Sequence, residues 1–477
     1  MLPNSLGFLL FFALVAIVHY ALPRAHRWWL LLLASLYFYS SLDPRYLLLL
    51  AYCTLAAWGA GLMIARTRAR PWLVMGVLAQ LAVLVLFKYV DFLIGLAEPV
   101  LAPIMAAQEA LALPRLGWLL PAGLSFYVFS CISYVVDVWR GTQPPERHLG
   151  HLALFVAFFP KLIAGPIERA PDLLPQIREG AVFRQPHVIF GLQLLLWGLI
   201  KKVVIADGLA DFVDAGFSTP AFQSPVTVLV GVYFYAFQIY CDFSGYSDMA
   251  IGMAAILGFR FRQNFNRPYL SRNIAEFWSR RWHISLSRWF RDYLYIPLGG
   301  SRVAPWRQYL NVMIIFAVSG LWHGAALTFL IWGLLNGAFQ VAWQVSRPLL
   351  ARIAGVVPDR LFALLSVLIT FHLVLITWVF FRAEDVPTAI AVLQRIASSL
   401  PALPGLLASF SYTPAFWLSL GLIVALIVVE WLQERHPVES WLPTWPVATR
   451  WSVYYAGLGA LVLIGHWGAT AFVYMQF

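Results

Sequence analysis

Apolar runs of helix length, separated by short basic turns, follow one another along most of the chain. The first, Leu6 to Leu22, leads into a turn with Arg24, His26 and Arg27. The next two, near 28–40 and 46–65, meet at Asp43-Pro44, and the turn before Pro71 carries Arg66, Arg68 and Arg70. Further runs lie near 72–90, 116–138, 224–241, 361–381, 414–433 and 451–473. About 20 apolar residues, rising about 1.5 Å each, cross the roughly 30 Å hydrocarbon core of a bilayer. The pattern predicts an all-α polytopic membrane protein, residues 1–477 forming a single membrane domain whose length allows about ten to twelve spans. The first run lacks a basic leader and a small-residue cleavage site, so it is expected to be a retained helix.

Several stretches depart from this pattern. Leu149 to Pro166 is apolar but ends in Phe159-Pro160-Lys161-Leu162-Ile163-Ala164-Gly165-Pro166, where two prolines and a glycine oppose a spanning helix. A re-entrant or interfacial element is expected there, and equally at Val188 to Ile205, which closes on Lys201-Lys202. The run from 224 is expected to stop at 241 in a polar knot, Cys241-Asp242-Phe243-Ser244-Gly245-Tyr246-Ser247-Asp248. Pro99, Pro103 and Pro114 are read as an outside loop, and the stretch from Arg382 to Pro414 as a mildly polar connection.

Charge orients the chain. The basic turns near 24–27, 66–70 and 140–147 are expected inside, which places the N-terminus outside. Residues 260–307 hold ten arginines against Glu276 and Asp292 and form the principal cytoplasmic segment. Wound as one helix, its centre puts Trp278, Trp282, Trp289 and Tyr293 on one stripe and Arg280, Arg281, Arg288 and Arg291 roughly opposite. Such a helix suits either the membrane interface or the rim of a cavity that receives an anion.

Residues 308–346 then contain no Asp, Glu, Lys or Arg. A continuous helix of that length would run to roughly 58 Å, so it must break, and the Gly320/Gly324 pair around His323 is the expected place. An ionisable residue at a break inside a membrane is a functional candidate.

Composition narrows the classes. The chain is 61% hydrophobic and 12% charged, with a mean hydropathy of +0.75, which excludes an ordinary soluble domain. The net charge of +11 belongs to loops of a polytopic protein, so nucleic acid is not an expected partner. Cys53, Cys131 and Cys241 lie in or beside apolar runs and are expected to be buried thiols without a disulfide. No metal-ligand spacing and no Gly-x-Ser-x-Gly elbow occurs. His323 and His283 remain, and imidazole near neutral pH serves as a base or relay acting on a hydroxyl or thioester.

The runs Phe159–Pro166, Asp242–Asp248, Glu276–Gly300, Ser319–Gly324 and Thr377–Arg382, with the ending Tyr474–Phe477, resemble the membrane-bound O-acyltransferase (MBOAT) family, in particular its bacterial alginate O-acetylation branch. The resemblance implies a ring of tilted and interrupted helices with re-entrant elements. It implies catalysis at His323 with His283 as the second histidine, and acetyl-CoA as donor, entering near Arg280, Arg281, Arg288, Arg291 and Trp282. It further implies a bacterial inner-membrane location, a periplasmic SGNH-type partner and a polysaccharide acceptor of alginate or cellulose type. Two other readings stay open, a teichoic-acid D-alanyl transferase fed by a carrier-protein thioester and a non-catalytic transport or scaffold component. Whether His323 is a general base or carries the acetyl group also stays open.

Overall fold

The computed structural model describes residues 1–105, 115–118, 120–435, 444–468 and 472–473. Among them every regular element is helical. Among the described residues seven helices are long and apolar enough to cross a membrane, including Tyr46–Thr67, Arg70–Glu98, Gln185–Ser218, Pro225–Ile256 and Asp359–Arg382. Their outer faces expose large apolar side chains such as Leu48 and Leu78, a surface that water would not tolerate and lipid does. The chain is a multi-pass membrane protein.

Several expectations are met in place. Arg27–Ser40 and Tyr46–Thr67 form the first hairpin, and Asp359–Arg382 and Pro414–Arg435 the late helices. Leu149–Ala157 and Phe159–Leu162 are too short to cross, and every residue from Leu154 to Ala170 is buried inside protein. Pro99 and Pro103 do not open a loop, because the backbone stays helical from Val90 to Met105. Pro114 and the ending Tyr474–Phe477 lie outside the described residues.

Four further expectations are corrected. Val188–Ile205 is no re-entrant element: the helical run continues from Gln185 to Ser218, passing Lys201 and Lys202 in a wide π turn, Ile200–Ala206. The polar knot does not end its helix either, since Pro225–Ile256 is one element of 32 residues. The two corrections share a cause. Lys202 Nζ lies 2.7 Å from Asp242 Oδ1 and 2.8 Å from Asp207 Oδ1, and Lys201 Nζ lies 2.5 Å from Asp248 Oδ2. Each charge is buried against an opposite one, which is what permits it inside a helix pair. The helices approach closely enough because glycine faces glycine: a Cβ on Gly198 would stand 2.6 Å from Gly245 O, and one on Gly191 2.6 Å from Gly252 O.

The third correction concerns 382–414, where Val386–Ser399 and Leu403–Ser409 are helices and not a polar connection. Ala389 and Val392 are buried while Ile390 and Leu407 are exposed, so the apolar pattern there serves lipid contact as well as core. Fourth, the arginine-rich centre is not one helix. A π turn at Phe277–Arg281 stops at Trp282, His283 takes φ +43°, and a new helix runs Ile284–Phe290 into a second π turn, Arg291–Tyr295.

Candidate active site

The break falls after His323, at the glycine pair whose spacing marked it. Pro305–His323 is a helix, Gly324 is extended, and Leu327–Ala354 folds back against it. Gly320 serves the packing of that hairpin: a Cβ there would stand 2.2 Å from Phe329 O, and one on Gly333 2.2 Å from Phe316 O. Gly324 lies against the Phe329 ring, with room for no Cβ. His323 is therefore the last residue of its helix, 4% exposed, with its ring edge-on to Trp332 at 5.0 Å and Phe381 at 5.2 Å.

His283 reaches the same place from the other segment. Its left-handed backbone is unusual for a residue with a Cβ and costs on the order of 1–3 kcal/mol, so its surroundings must hold it. They do so through Asn264, whose carbonyl O accepts the Ile284 N–H at 2.9 Å and whose side-chain Oδ1 accepts the Ser285 hydroxyl at 2.8 Å. Asn264 Nδ2 in turn donates to Ser247 Oγ at 3.0 Å, tying the turn to the Pro225–Ile256 helix. The His283 ring packs 4.7 Å from Phe243 and 6.0 Å from Trp322, the neighbour of His323. Burial lowers the His283 imidazole to about 3, so it is neutral at ordinary pH.

A cavity of about 200 Å³ contains both histidines. Val312, Phe316, Ser319 and His323 give it one face of the Pro305–His323 helix, a wall about 16 Å long. Its other end holds Arg291 and Tyr295, where Asn311 Nδ2 donates to Leu298 O at 3.2 Å and joins the arginine-rich segment to the start of that helix. A second cavity, about 20 Å³, lies beyond His323 and is lined by Lys88, Gly123, Phe126 and Trp322. Among the described residues His323 is the one that lines both.

The expected donor-site residues separate. Arg291 lines the larger cavity, its Nε 2.8 Å from Asp292 Oδ1. Arg280 and Arg288 are exposed and line neither cavity. Arg281 is held between Glu276 and Glu434, at 2.7 and 2.8 Å, and secures the fold. Trp282 is 1% exposed, packed between Phe277 and Trp378, so it belongs to the core and not to an entrance. Sequence reasoning missed Asn264 and Lys88. A lysine inside an apolar span was a legible signal for the second, while nothing local marks Asn264. Among the described residues no group of three His, Cys, Asp or Glu side chains could hold a metal ion.

Residues 148–383 match the model of MBOAT, the membrane-bound O-acyltransferase family. A Pseudomonas aeruginosa protein named "Probable alginate O-acetylase" is 42% identical over 384 residues, 78% of this chain and 70% of that protein. The chain belongs to the membrane-bound O-acyltransferase family. It is also 36% identical over 418 residues to a Helicobacter pylori peptidoglycan O-acetyltransferase, covering 81% of this chain and 76% of that one. A Bacillus subtilis teichoic acid D-alanyltransferase is more distant, 26% identical over 263 residues, 53% of this chain and 66% of its own length. The match to the family model takes in both histidines, Arg291 and the Lys201/Lys202 cluster. Lys88 lies outside it.

Proposed function

We propose that this O-acyltransferase moves an acetyl group from cytosolic acetyl-CoA to a hydroxyl acceptor reached from the far side of His323, for O-acetylation of a bacterial exopolysaccharide. The observation that carries the reading is the position of His323 in the common wall of two cavities. The thioester enters past Arg291, whose guanidinium suits coenzyme A phosphates, and its acyl end lies along the wall toward His323. Neutral imidazole takes the proton of the acceptor hydroxyl as its oxygen attacks the thioester carbonyl. The C–S bond then breaks, and the proton passes to the departing thiolate, giving coenzyme A and the acetyl ester. His283, neutral at working pH, contacts the donor within the same cavity. The acetylated carrier beyond the second cavity is a periplasmic SGNH-type partner that modifies the polymer. The membrane is the bacterial inner membrane, with the N-terminus on the periplasmic side.

The family and the O-acetylases to which the chain is 36–42% identical support acetyl transfer over D-alanyl transfer. The test is transfer by purified protein in sealed vesicles, with labelled acetyl-CoA on one side and the partner on the other. Label should cross to the partner with wild-type protein and not with His323→Ala. Transfer by His323→Ala, or transfer only when donor and acceptor share a side, would overturn the scheme. Label moving only from a carrier-protein thioester would replace acetyl-CoA by the D-alanyl route.

A further inference from the structure

Between Arg70 and Glu98, in a helix long and apolar enough to cross a membrane, two charged side chains occur, Lys88 and Asp91. Asp91 caps the following loop, accepting the Leu116 N–H at 2.7 Å and the Gly117 N–H at 2.9 Å. The backbone widens into a π turn at Val85–Tyr89, and such single-turn insertions re-aim the side chains they carry. Here they aim Lys88 and Tyr89 together at the end of the Pro305–His323 helix. Lys88 Nζ donates to Trp322 O at 2.5 Å and to His323 O at 3.0 Å, and the Tyr89 hydroxyl donates to Leu321 O at 2.8 Å.

The final carbonyls of a helix have no intrahelical donor and form the negative end of its dipole, so an ammonium is the complementary cap. A cation inside an apolar span is costly, and this one is placed on the backbone carbonyls of Trp322 and His323, with the Tyr89 hydroxyl on Leu321 beside it. Lys88 also shares the smaller cavity with His323. Two features thus coincide, a capped helix end and a common cavity, at the residue on which the reaction turns.

We propose that Lys88, aided by Tyr89, is a positioning residue for acyl transfer: it fixes the backbone at His323 so that the imidazole stands in line with both cavities. The inference rests on the reading of His323 as the transfer centre. Lys88→Met keeps the apolar stem and removes the ammonium. It should lower kcat about 100-fold, the effect of a displaced catalytic group, and leave the KM for acetyl-CoA within about twofold. Tyr89→Phe removes one hydrogen bond and no charge, and should lower kcat about 5-fold, which keeps the test available if Lys88→Met does not insert. A kcat near wild type in either folded variant would overturn the inference. So would a loss matched by the loss of folded protein in a melt. If His323→Ala itself transfers acetyl groups, the reading of the site fails, independently of Lys88.

Discussion

Asn264 Oδ1 accepts two hydrogen bonds from Ser285, one from its backbone N–H at 3.2 Å and one from its hydroxyl at 2.8 Å. This pairing holds the first turn after His283, whose backbone is left-handed, and Asn264 is wholly buried. Asn264→Ala should destabilise the protein by about 1–3 kcal/mol, since it leaves buried donors without acceptors. It should also slow transfer more than the stability loss explains, because His283 is released. Thermal melts in detergent beside single-turnover transfer separate the two effects.

The Gly320/Gly333 contact makes a second prediction. A Cβ on either glycine would lie 2.2 Å from a backbone carbonyl oxygen, which has nowhere to go but with its helix. Gly320→Ala should cost about 1–3 kcal/mol and shift His323, three residues on. A variant as stable and active as wild type would show that the hairpin is looser than this packing.

Lys202 tests the buried charges. Lys202→Met leaves Asp207 and Asp242 facing each other without their shared cation, and should destabilise by about 3–5 kcal/mol. The triple variant Lys202→Met, Asp207→Leu, Asp242→Leu should recover most of that loss. Expression level and melting temperature in one detergent give the comparison.

The arginines divide by task. Arg291→Gln should raise the KM for acetyl-CoA about 2- to 5-fold and leave the melting temperature unchanged, since Arg291 is exposed at the cavity mouth. Arg281→Gln should do the reverse, as it severs the link between Glu276 and Glu434. Equal effects from both would return the donor site to the whole arginine cluster.

His283 carries a pH dependence whose sign follows from burial. Its folded pKa is lowered to about 3 from 6.5, so between these values the unfolded chain binds a proton that the fold does not. Its contribution is complete above pH 6.5 and is lost as pH falls from there toward 3, at up to about 1.4 kcal/mol per pH unit. His283→Gln should flatten the acid side of a melting-temperature profile. An unchanged slope would mean that other groups carry the acid sensitivity.

Sequence alone determined the class of the protein and the place where its longest uncharged stretch breaks. Apolar runs of spanning length need only composition to be legible, and the 308–346 stretch had to break because no bilayer is thick enough for it. Gly324 beside His323 then marked the place, since only a residue without a Cβ fits against the Phe329 ring there. Tertiary structure alone decided how charge is accommodated. Lys201, Lys202 and the 242–248 knot read as helix ends because an isolated ion ends a spanning helix. Their mutual pairing across 40 residues of chain reverses that rule, and pairing is a property of two helices, not of either. The same holds at the site. Periodicity drew Arg280, Arg281, Arg288 and Arg291 onto one arc, but one left-handed residue at His283 breaks the helix that the arc requires. That conformation is held by Asn264, and the end of the His323 helix by Lys88, contacts 21 and 235 residues apart in sequence that no local pattern encodes.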